Sequence, residues 1–248
     1  MPKNKTAIQK FTAICYDIDM LNKRKISFSI VIIIAIIIFA VFLTRIINMA
    51  QNQNLDLSLY NGDNVKNKQP SVENVIPVNY NDHIRGNPQA PIKIIEYSDF
   101  QCPYCQNFHI VMQQIINDYP DKVQWIYRHF PDANAHPQAA AAAIVSECVA
   151  ELSGNNAFWQ AADVFFTQQN LLGMDFYKQI ANELKINESK FNACLNSDKY
   201  AKKVEAHLQN ALDSGATGTP YSVIILPDSR KVPLSGATSY EVLESVIK

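Results

Sequence analysis

The pattern of apolar and polar positions divides the chain into an apolar segment, a polar stretch and a long patterned region. The apolar segment, ISFSIVIIIAIIIFAVFLT, covers residues 26–44 without a charge and directly follows Lys23, Arg24 and Lys25. A helix of this length spans roughly 28 Å, close to the hydrocarbon thickness of a bilayer. The pattern predicts one transmembrane signal-anchor at residues 26–47, with residues 1–25 as a basic cytoplasmic N-terminus and the remaining chain exported.

Two questions about this segment stay open: whether it is cleaved, and where the chain starts. A cleavable signal peptide usually has an apolar region of about 7 to 15 residues and a small-x-small site. Here the run is longer, and Asn48 stands where a small residue is needed before Ala50. The true start is the second open question, since Met20 opens the basic sequence MLNKRK. A buried soluble helix is disfavoured because the segment has no polar face.

The polar stretch, residues 48–79, is rich in Asn and Gln, contains Pro70 and Pro77, and lacks helical or strand periodicity. It predicts a flexible linker that tethers the rest of the chain to the membrane. Residues 80–248 then predict a single domain that is large enough to bury a core.

The first part of this domain predicts a β-α-β unit. IKIIEY (92–97) and VQWIYRHF (123–130) are rich in β-branched and aromatic residues, which is typical of strands. Between them, apolar residues recur at helical spacing and stop before Pro120.

Helical spacing then continues over about residues 132–215, which predicts a block of helices. Strand patterns return at 221–226 and 231–234, and a last helix is expected from Ser239. The helical segments are 137–152, 158–166, 176–184, 188–195 and 200–212.

Charge gives no sign of a nucleic-acid partner. The chain has 22 Lys and Arg against 23 Asp and Glu, a net charge of -1, and therefore no basic excess. The cysteines are more informative, because two of the five lie close together in QCPYCQ.

A helix is predicted to begin within QCPYCQ. Pro103 suits the first helical position, which makes Cys102 the N-cap residue and Cys105 the third helical residue, with their side chains close together. The free N–H groups of the first turn favour a thiolate at Cys102. A helix terminus contributes only about 0.3 to 2 kcal/mol, so hydrogen bonds must supply the rest of a large pKa shift. We expect Cys102 to be the attacking thiolate and Cys105 the resolving thiol.

Three other roles fit the pair less well. A zinc site needs four ligands, and His109 would have to combine with Cys148 or Cys194 from distant segments. Haem attachment needs His directly after the second cysteine, where this chain has Gln106. A structural bridge would close a tiny loop and remove little unfolded-state entropy. The order strand, CxxC, helix favours a redox pair without metal or cofactor.

The region from about residue 82 to 248 resembles the DsbA-type thiol-disulfide oxidoreductases of the thioredoxin superfamily, in their membrane-anchored or exported bacterial forms. The resemblance rests on RGNPQAPIKIIEYSDFQCPYCQNFH, FNACLNSDKY and GATGTPYSVII. It implies an α/β thioredoxin fold, β-α-β then β-β-α, with an inserted helical domain. In this chain one N-terminal transmembrane helix is predicted to precede that fold.

The resemblance also implies a substrate-binding surface. Pro220, preceded by Thr219, corresponds to the cis-proline that lies beside the CxxC pair in this family. The backbone next to it would pair with an extended substrate peptide, and Pro103 and Tyr104 would belong to the same surface.

Glu96 stands six residues before Cys102, where many thioredoxin-like enzymes bury an acid. That position implies a catalytic carboxyl that exchanges a proton with Cys105. The alternative is a surface carboxylate at the end of a strand.

The remaining cysteines and histidines have ordinary interpretations. Cys148 and Cys194 lie in apolar stripes, either as small buried hydrophobes or as a structural disulfide. We expect the disulfide, because the setting is oxidising and related exported proteins carry cysteines at similar places. Cys15 is left over in the predicted cytoplasmic segment. We expect His109 to be a partly exposed helix residue, and the following to be surface or packing residues: His129, His136 and His207.

The chain is therefore expected to be an enzyme that introduces disulfide bonds into exported polypeptides with free thiols. The expected location is the bacterial cytoplasmic (inner) membrane, single-pass, with the catalytic domain on the periplasmic or extracellular side. The resemblance implies a quinone-linked membrane partner that reoxidises the enzyme, and a monomer is expected because the linker cannot form a dimerisation domain. A disulfide isomerase or reductase is the main alternative, and a non-catalytic peptide-binding chaperone is a weaker one.

Tyr104 predicts a weaker oxidant than the strongly oxidising members of the family, which carry Pro-His between the cysteines. Tyr104 has no imidazolium charge to stabilise a thiolate, so we expect a reduction potential below the value of about -120 mV for DsbA. Tyr104→His should raise the potential measured by equilibration with glutathione, whereas Tyr104→Phe should not. A wild-type potential at or above the DsbA value would contradict this expectation.

Overall fold

The computed structural model describes residues 69–248. The strands are β1 (His83–Gly86), β2 (Ile92–Ser98), β3 (Val123–His129), β4 (Tyr221–Ile225) and β5 (Lys231–Ser235). The α-helices are α1 (Pro103–Asp118), α2 (Ala139–Thr167), α3 (Met174–Glu183), α4 (Glu188–Leu195), α5 (Lys199–Asp213) and α6 (Tyr240–Ile247). Short 3₁₀ helices cover Val72–Asn74 and Gln169–Leu171.

The five strands form one sheet in the order β1-β3-β2-β4-β5. Strand β2 is parallel to β3 and antiparallel to β4, and both edge strands pair antiparallel with their neighbours. Helix α1 connects β2 to β3, and α6 packs beside it. The order β-α-β, helical insertion, β-β-α confirms the thioredoxin-like α/β fold expected from the sequence.

The central strands β2 and β3 are buried along almost their whole length because both of their faces are covered. Toward α1, Ile94 and Trp125 join Phe108 in the main core. Toward α5, the hydroxyl of Tyr97 donates to the side-chain carbonyl of Asn210. A strand buried on both faces is rich in β-branched and aromatic residues on both sides, which explains the clear signal at β2 and β3.

The linker predicted at residues 48–79 extends too far along the chain, because its last residues are packed on the domain. In the described part of it, the Ser71 N–H donates to the Asp213 carbonyl at 2.9 Å, and the Asn74 amide donates to the same carbonyl at 2.8 Å. Val75 is also buried. Residues 71–76 thus pack on α5 through backbone and amide hydrogen bonds, which leave no periodic signal in the sequence.

The predicted anchor, residues 26–47, lies outside the described residues, as do the alternative start Met20 and Cys15. Within residues 69–248, none of the helices is both long and apolar enough to cross a bilayer.

Helices α2 to α5 form the insertion, and a disulfide joins two of them. Cys148 of α2 is bonded to Cys194 of α4, with 5.8 Å between their Cα atoms. Helix α2 is interrupted at Gly154, whose φ of 84° and ψ of 176° are not helical. This break corresponds to the gap between the two helical segments predicted for residues 137–166. The bond closes a loop of 46 residues, which in the chain-entropy account stabilises the fold by about 4 kcal/mol.

A buried carboxylate ties the insertion to the sheet. Glu147 of α2 accepts from His83 of β1 at 3.0 Å, from His129 of β3 at 2.9 Å and from Lys203 of α5 at 2.8 Å. The backbone N–H of His129 donates to His207 Nδ1 at 3.2 Å. These contacts hold Glu147 as a carboxylate, with its pKa well below the ordinary value despite burial. The insertion is therefore anchored through charge as well as through apolar packing.

We expect the free energy of unfolding to fall as the pH drops below about 6.5. Burial lowers the folded-state pKa of His129 and His207, so the unfolded chain takes up protons in this range that the folded chain does not. Each such histidine lowers the free energy of unfolding as the pH falls through about 6.5, the ordinary pKa of a histidine in an unfolded chain. Glu96 opposes this trend, because its raised pKa lets the folded state hold a proton.

Urea denaturation of the disulfide form at several pH values measures this dependence without titration of the cysteine pair. The variant His129→Gln keeps a donor for Glu147 and should show a smaller pH dependence, because it lacks the group that takes up a proton on unfolding. Equal pH dependence in the variant and the wild type would show that His129 is not responsible.

Candidate active site

The two free cysteines in the described region lie where β2 passes into α1. Cys102 occupies the N-cap position and Pro103 the first helical position, so the helix begins as the local sequence predicts. Cys105 lies one turn further on and is fully buried, whereas 4% of Cys102 is exposed. Pro103 and Tyr104 are exposed between them, with Tyr104 at 65%. The pair therefore presents one sulfur near the surface and one in the core.

The loop before Cys102 is held by hydrogen bonds from the helical insertion and from the segment that leads into it. The buried Asp99 accepts from the Asp132 N–H at 2.9 Å and from His136 Nδ1 at 2.7 Å. The Gln169 amide donates to the carbonyls of Phe100 and Cys102, each at 2.9 Å. No sequence pattern singles out Asp99 or Gln169, because their partners come from distant segments.

The loop before β4 faces the cysteine pair. The peptide bond between Thr219 and Pro220 is cis, and Pro220 is buried just before β4. The thiol of Cys102 lies 3.6 Å from the Thr219 carbonyl, as a donor to it. The structure thus brings Thr219 and Pro220 to the exposed side of the reactive sulfur.

The two thiols have very different acidities. A hydrogen bond from the Cys105 thiol lowers the pKa of Cys102 to about 5, and the Thr219 hydroxyl acts in the same direction against burial. The backbone N–H groups of Tyr104 and Cys105, in the first helical turn, also lower the pKa of Cys102, although they make no capping hydrogen bond of full geometry. Burial raises the pKa of Cys105 well above its ordinary range. Cys102 is therefore the thiolate of the pair.

Glu96 lies beneath the pair and is fully buried, which rules out the alternative of a surface carboxylate. Burial raises its pKa to about 7. The indole N–H of Trp125 donates to Glu96 Oε2 at 2.8 Å and opposes the rise. The Ser98 hydroxyl acts in the same direction without an ordinary hydrogen-bond geometry. A carboxyl with this pKa takes up and releases a proton near neutral pH.

The expectation of a partly exposed His109 is wrong. This residue is 3% exposed, and its Nε2 lies 2.7 Å from Asp163 Oδ1. Arg85 also binds Asp163 through both guanidinium nitrogens, at 2.8 and 2.7 Å. Helix α2 covers this face of α1, and a contact between segments so far apart in sequence leaves no local pattern.

No three His, Cys, Asp or Glu side chains within residues 69–248 converge as metal ligands. The thiols and the carboxyl beneath them are instead suited to thiol-disulfide exchange, in which a thiolate attacks a sulfur and a proton moves to the leaving thiolate.

Residues 79–248 match the thioredoxin family, and the chain belongs to that family. Residues 79–248 form a thiol-disulfide oxidoreductase domain of the DsbA type. The crystal structure of alpha-DsbA1 from Wolbachia pipientis is 27% identical, with a TM-score of 0.61 over 71% of this chain and 94% of that one. DsbA2 from Pseudomonas aeruginosa shares the fold at 24% identity, with a TM-score of 0.57 over 69% of this chain and 94% of that one.

A curated relative shows a different context for a similar domain. The Na(+)/H(+) antiporter NhaA 3 of Salinispora tropica is 31% identical over 150 residues, which cover 60% of this chain and 22% of the relative. The chain thus spans about a fifth of the length of that protein.

Thr219→Val should raise the pKa of Cys102, because it removes the hydroxyl that stabilises the thiolate. A hydrogen bond to a charged group contributes about 1.5 to 3 kcal/mol, which corresponds to a rise of about one to two pH units. The thiolate absorbance of the reduced protein, titrated with pH, measures the shift. Thr219→Ser keeps the hydroxyl and should titrate like the wild type, so equal shifts in both variants would contradict the assignment.

Proposed function

We propose that this oxidoreductase is a disulfide oxidase that acts on exported polypeptides through a disulfide between Cys102 and Cys105. The observation that carries the proposal is the position of Cys102 at the helix start beside Cys105 and Thr219, which lowers the pKa of its thiol to about 5. A thiolate that is stable at neutral pH stabilises the reduced form, and an enzyme with a stabilised reduced form readily gives its disulfide away. The missing imidazolium at Tyr104 moderates this tendency without reversing it.

The exchange proceeds in two steps. A substrate thiolate attacks Cys102, the bond between the two cysteines breaks, and Cys105 leaves as a thiolate that takes the proton of Glu96. A second substrate thiolate then attacks the substrate sulfur of the mixed disulfide and releases Cys102 as a thiolate. The substrate loses two electrons and the cysteine pair gains them, while Glu96 regains its proton from solvent.

The exposed residues around Cys102 would receive the substrate. A peptide laid beside Thr219 in an extended conformation would pair with its backbone and bring a cysteine to the sulfur, with Pro220 fixing the loop. Pro103 and Tyr104 would form the opposite wall, since both are exposed beside Cys102. Such pairing through backbone atoms would accept many different sequences.

The cellular context completes the proposal. An anchor at residues 26–47 would hold the domain on the outer side of the bacterial cytoplasmic membrane as a monomer. The reduced pair would return its two electrons to a quinone-linked partner in that membrane. Both statements rest on the sequence and on the family resemblance.

Trapping thiols in living cells tests the direction of the reaction. We expect Cys102 and Cys105 to be mostly oxidised in rapidly acidified, alkylated cells, and disulfide formation in exported proteins to be lost in Cys102→Ser. The control is the pair of substitutions Cys148→Ala and Cys194→Ala, which removes a disulfide outside the site and should leave exchange activity. A mostly reduced pair would instead indicate an isomerase or reductase, and activity that survives Cys102→Ser would indicate a chaperone.

A further inference from the structure

The two carboxyl oxygens of Glu96 have different surroundings. Oε2 accepts the indole N–H of Trp125 at 2.8 Å, whereas Oε1 has no hydrogen-bond partner. Both residues are fully buried. An unpaired buried carboxyl oxygen is costly, and such groups are rare outside functional sites.

The unpaired oxygen belongs to a cluster of buried hydroxyls. Tyr127 and Ser222 lie opposite Glu96 on the two neighbouring strands, and Ser98 lies two residues along the same strand. None of these three hydroxyls makes a hydrogen bond of ordinary geometry. Cys105 is close enough for the Glu96 charge to raise the pKa of its thiol, and the Ser98 hydroxyl lowers the pKa of both groups. Oε1 is therefore the carboxyl oxygen that no ordinary hydrogen bond holds.

We infer that Trp125 is a positioning residue for proton transfer between Glu96 and Cys105. By holding Oε2, the indole fixes the carboxyl so that Oε1 alone is left to exchange the proton. The indole is a neutral donor, so it orients the carboxyl without favouring its ionised form. A lysine or arginine would favour the ionised form. This inference rests on the proposed role of Glu96 in the exchange reaction.

The proton balance of the step is simple. When the bond between the cysteines breaks, Cys105 carries the electron pair as a thiolate and the neutral Glu96 gives its proton to that sulfur. The carboxylate that forms keeps the Trp125 N–H as its donor. In the reverse direction the carboxylate accepts the proton as the Cys105 thiolate attacks.

The alternative is that Trp125 only fills the core. Its ring packs against the rings of His109 and Trp159, with centroid distances of 5.0 and 4.6 Å. Trp159 offers a matched control, because it is also buried but its Nε1 donates to no acceptor. A packing role predicts similar effects for both rings, whereas a positioning role predicts an effect of Trp125 alone.

The full chain contains two tryptophans, so its ¹H–¹⁵N NMR spectrum has two indole N–H signals. In the disulfide form, neither Cys102 nor Cys105 titrates. The other groups around the two indoles have pKa values that are shifted away from pH 7. Burial lowers the pKa of His109 and raises that of Tyr127 far above neutrality, and Asp163, with a pKa of about 2, stays charged beside Arg85. Glu96 is thus the group expected to titrate there.

We expect the Trp125 indole signal, assigned with Trp159→Phe, to shift with a midpoint within about one pH unit of 7 as Glu96 ionises. The Trp159 signal should not shift, and neither should the Trp125 signal in Glu96→Gln. This measurement needs no Trp125 variant. A Trp125 signal that is flat with pH, or that still titrates in Glu96→Gln, would overturn the inference.

The variant Trp125→Phe tests the consequence for the carboxyl. Loss of a donor to the carboxylate should raise the pKa of Glu96 by about one to two units, measured by ¹³C NMR of labelled glutamate. The pH profile of exchange with a thiol peptide should move by the same amount, and Trp159→Phe should move neither. Equal shifts in both phenylalanine variants would indicate packing alone.

These outcomes are separate from the test of the proposed function. A cysteine pair found reduced in cells would refute the oxidase role. The indole and carboxyl titrations would still test the role of Trp125. Conversely, an oxidised pair in cells combined with a flat Trp125 signal would refute only the role of Trp125.

Discussion

The active site depends on one contact, between the start of α1 and the loop before β4. Cys102 and Thr219 are 117 positions apart, yet the sulfur of one lies 3.6 Å from the carbonyl of the other. The contact exists because β2 and β4 are neighbours in the sheet, so the end of β2 and the beginning of β4 meet at the same edge. It places the backbone of Thr219 beside the reactive sulfur, where the proposed substrate peptide would pair. Without that pairing, the CxxC sequence would be only a helix start.

Burial then gives the two sulfurs and the carboxyl below them different pKa values. One helical turn separates Cys102, which reaches the surface, from Cys105, which does not. The outer sulfur is stabilised as a thiolate by donors, whereas desolvation keeps the inner thiol protonated and raises the pKa of Glu96 to about 7. A thiolate that attacks and a thiol that must be deprotonated therefore lie within one turn. The same low-polarity surroundings that separate these acidities also make the single indole hydrogen bond to Glu96 significant.

The helical insertion supports the site from the side. Glu147 and its histidine and lysine partners fix the insertion to the sheet, and the Cys148–Cys194 bond fixes α2 to α4. Residues that follow α2 then brace the reactive loop, as Gln169 does through the carbonyls of Phe100 and Cys102. The insertion is thus continuous with the site, and its packing over α1 also buries His109.

Local sequence determined the strands β2 and β3, the helix start at Cys102 and Pro103, and the pairing of the two cysteines as a redox motif. These features depend on residues within a few positions of one another, where periodicity and capping rules act. The family resemblance pointed to Thr219, Pro220 and Glu96, which spacing alone would not. Tertiary structure decided the burial of His109, the docking of residues 71–76 on α5, and the hydrogen bond from Trp125 to Glu96. Each of these joins segments that meet only after the sheet and the insertion are assembled, and burial, which sets the pKa of Glu96, is a property of that assembly.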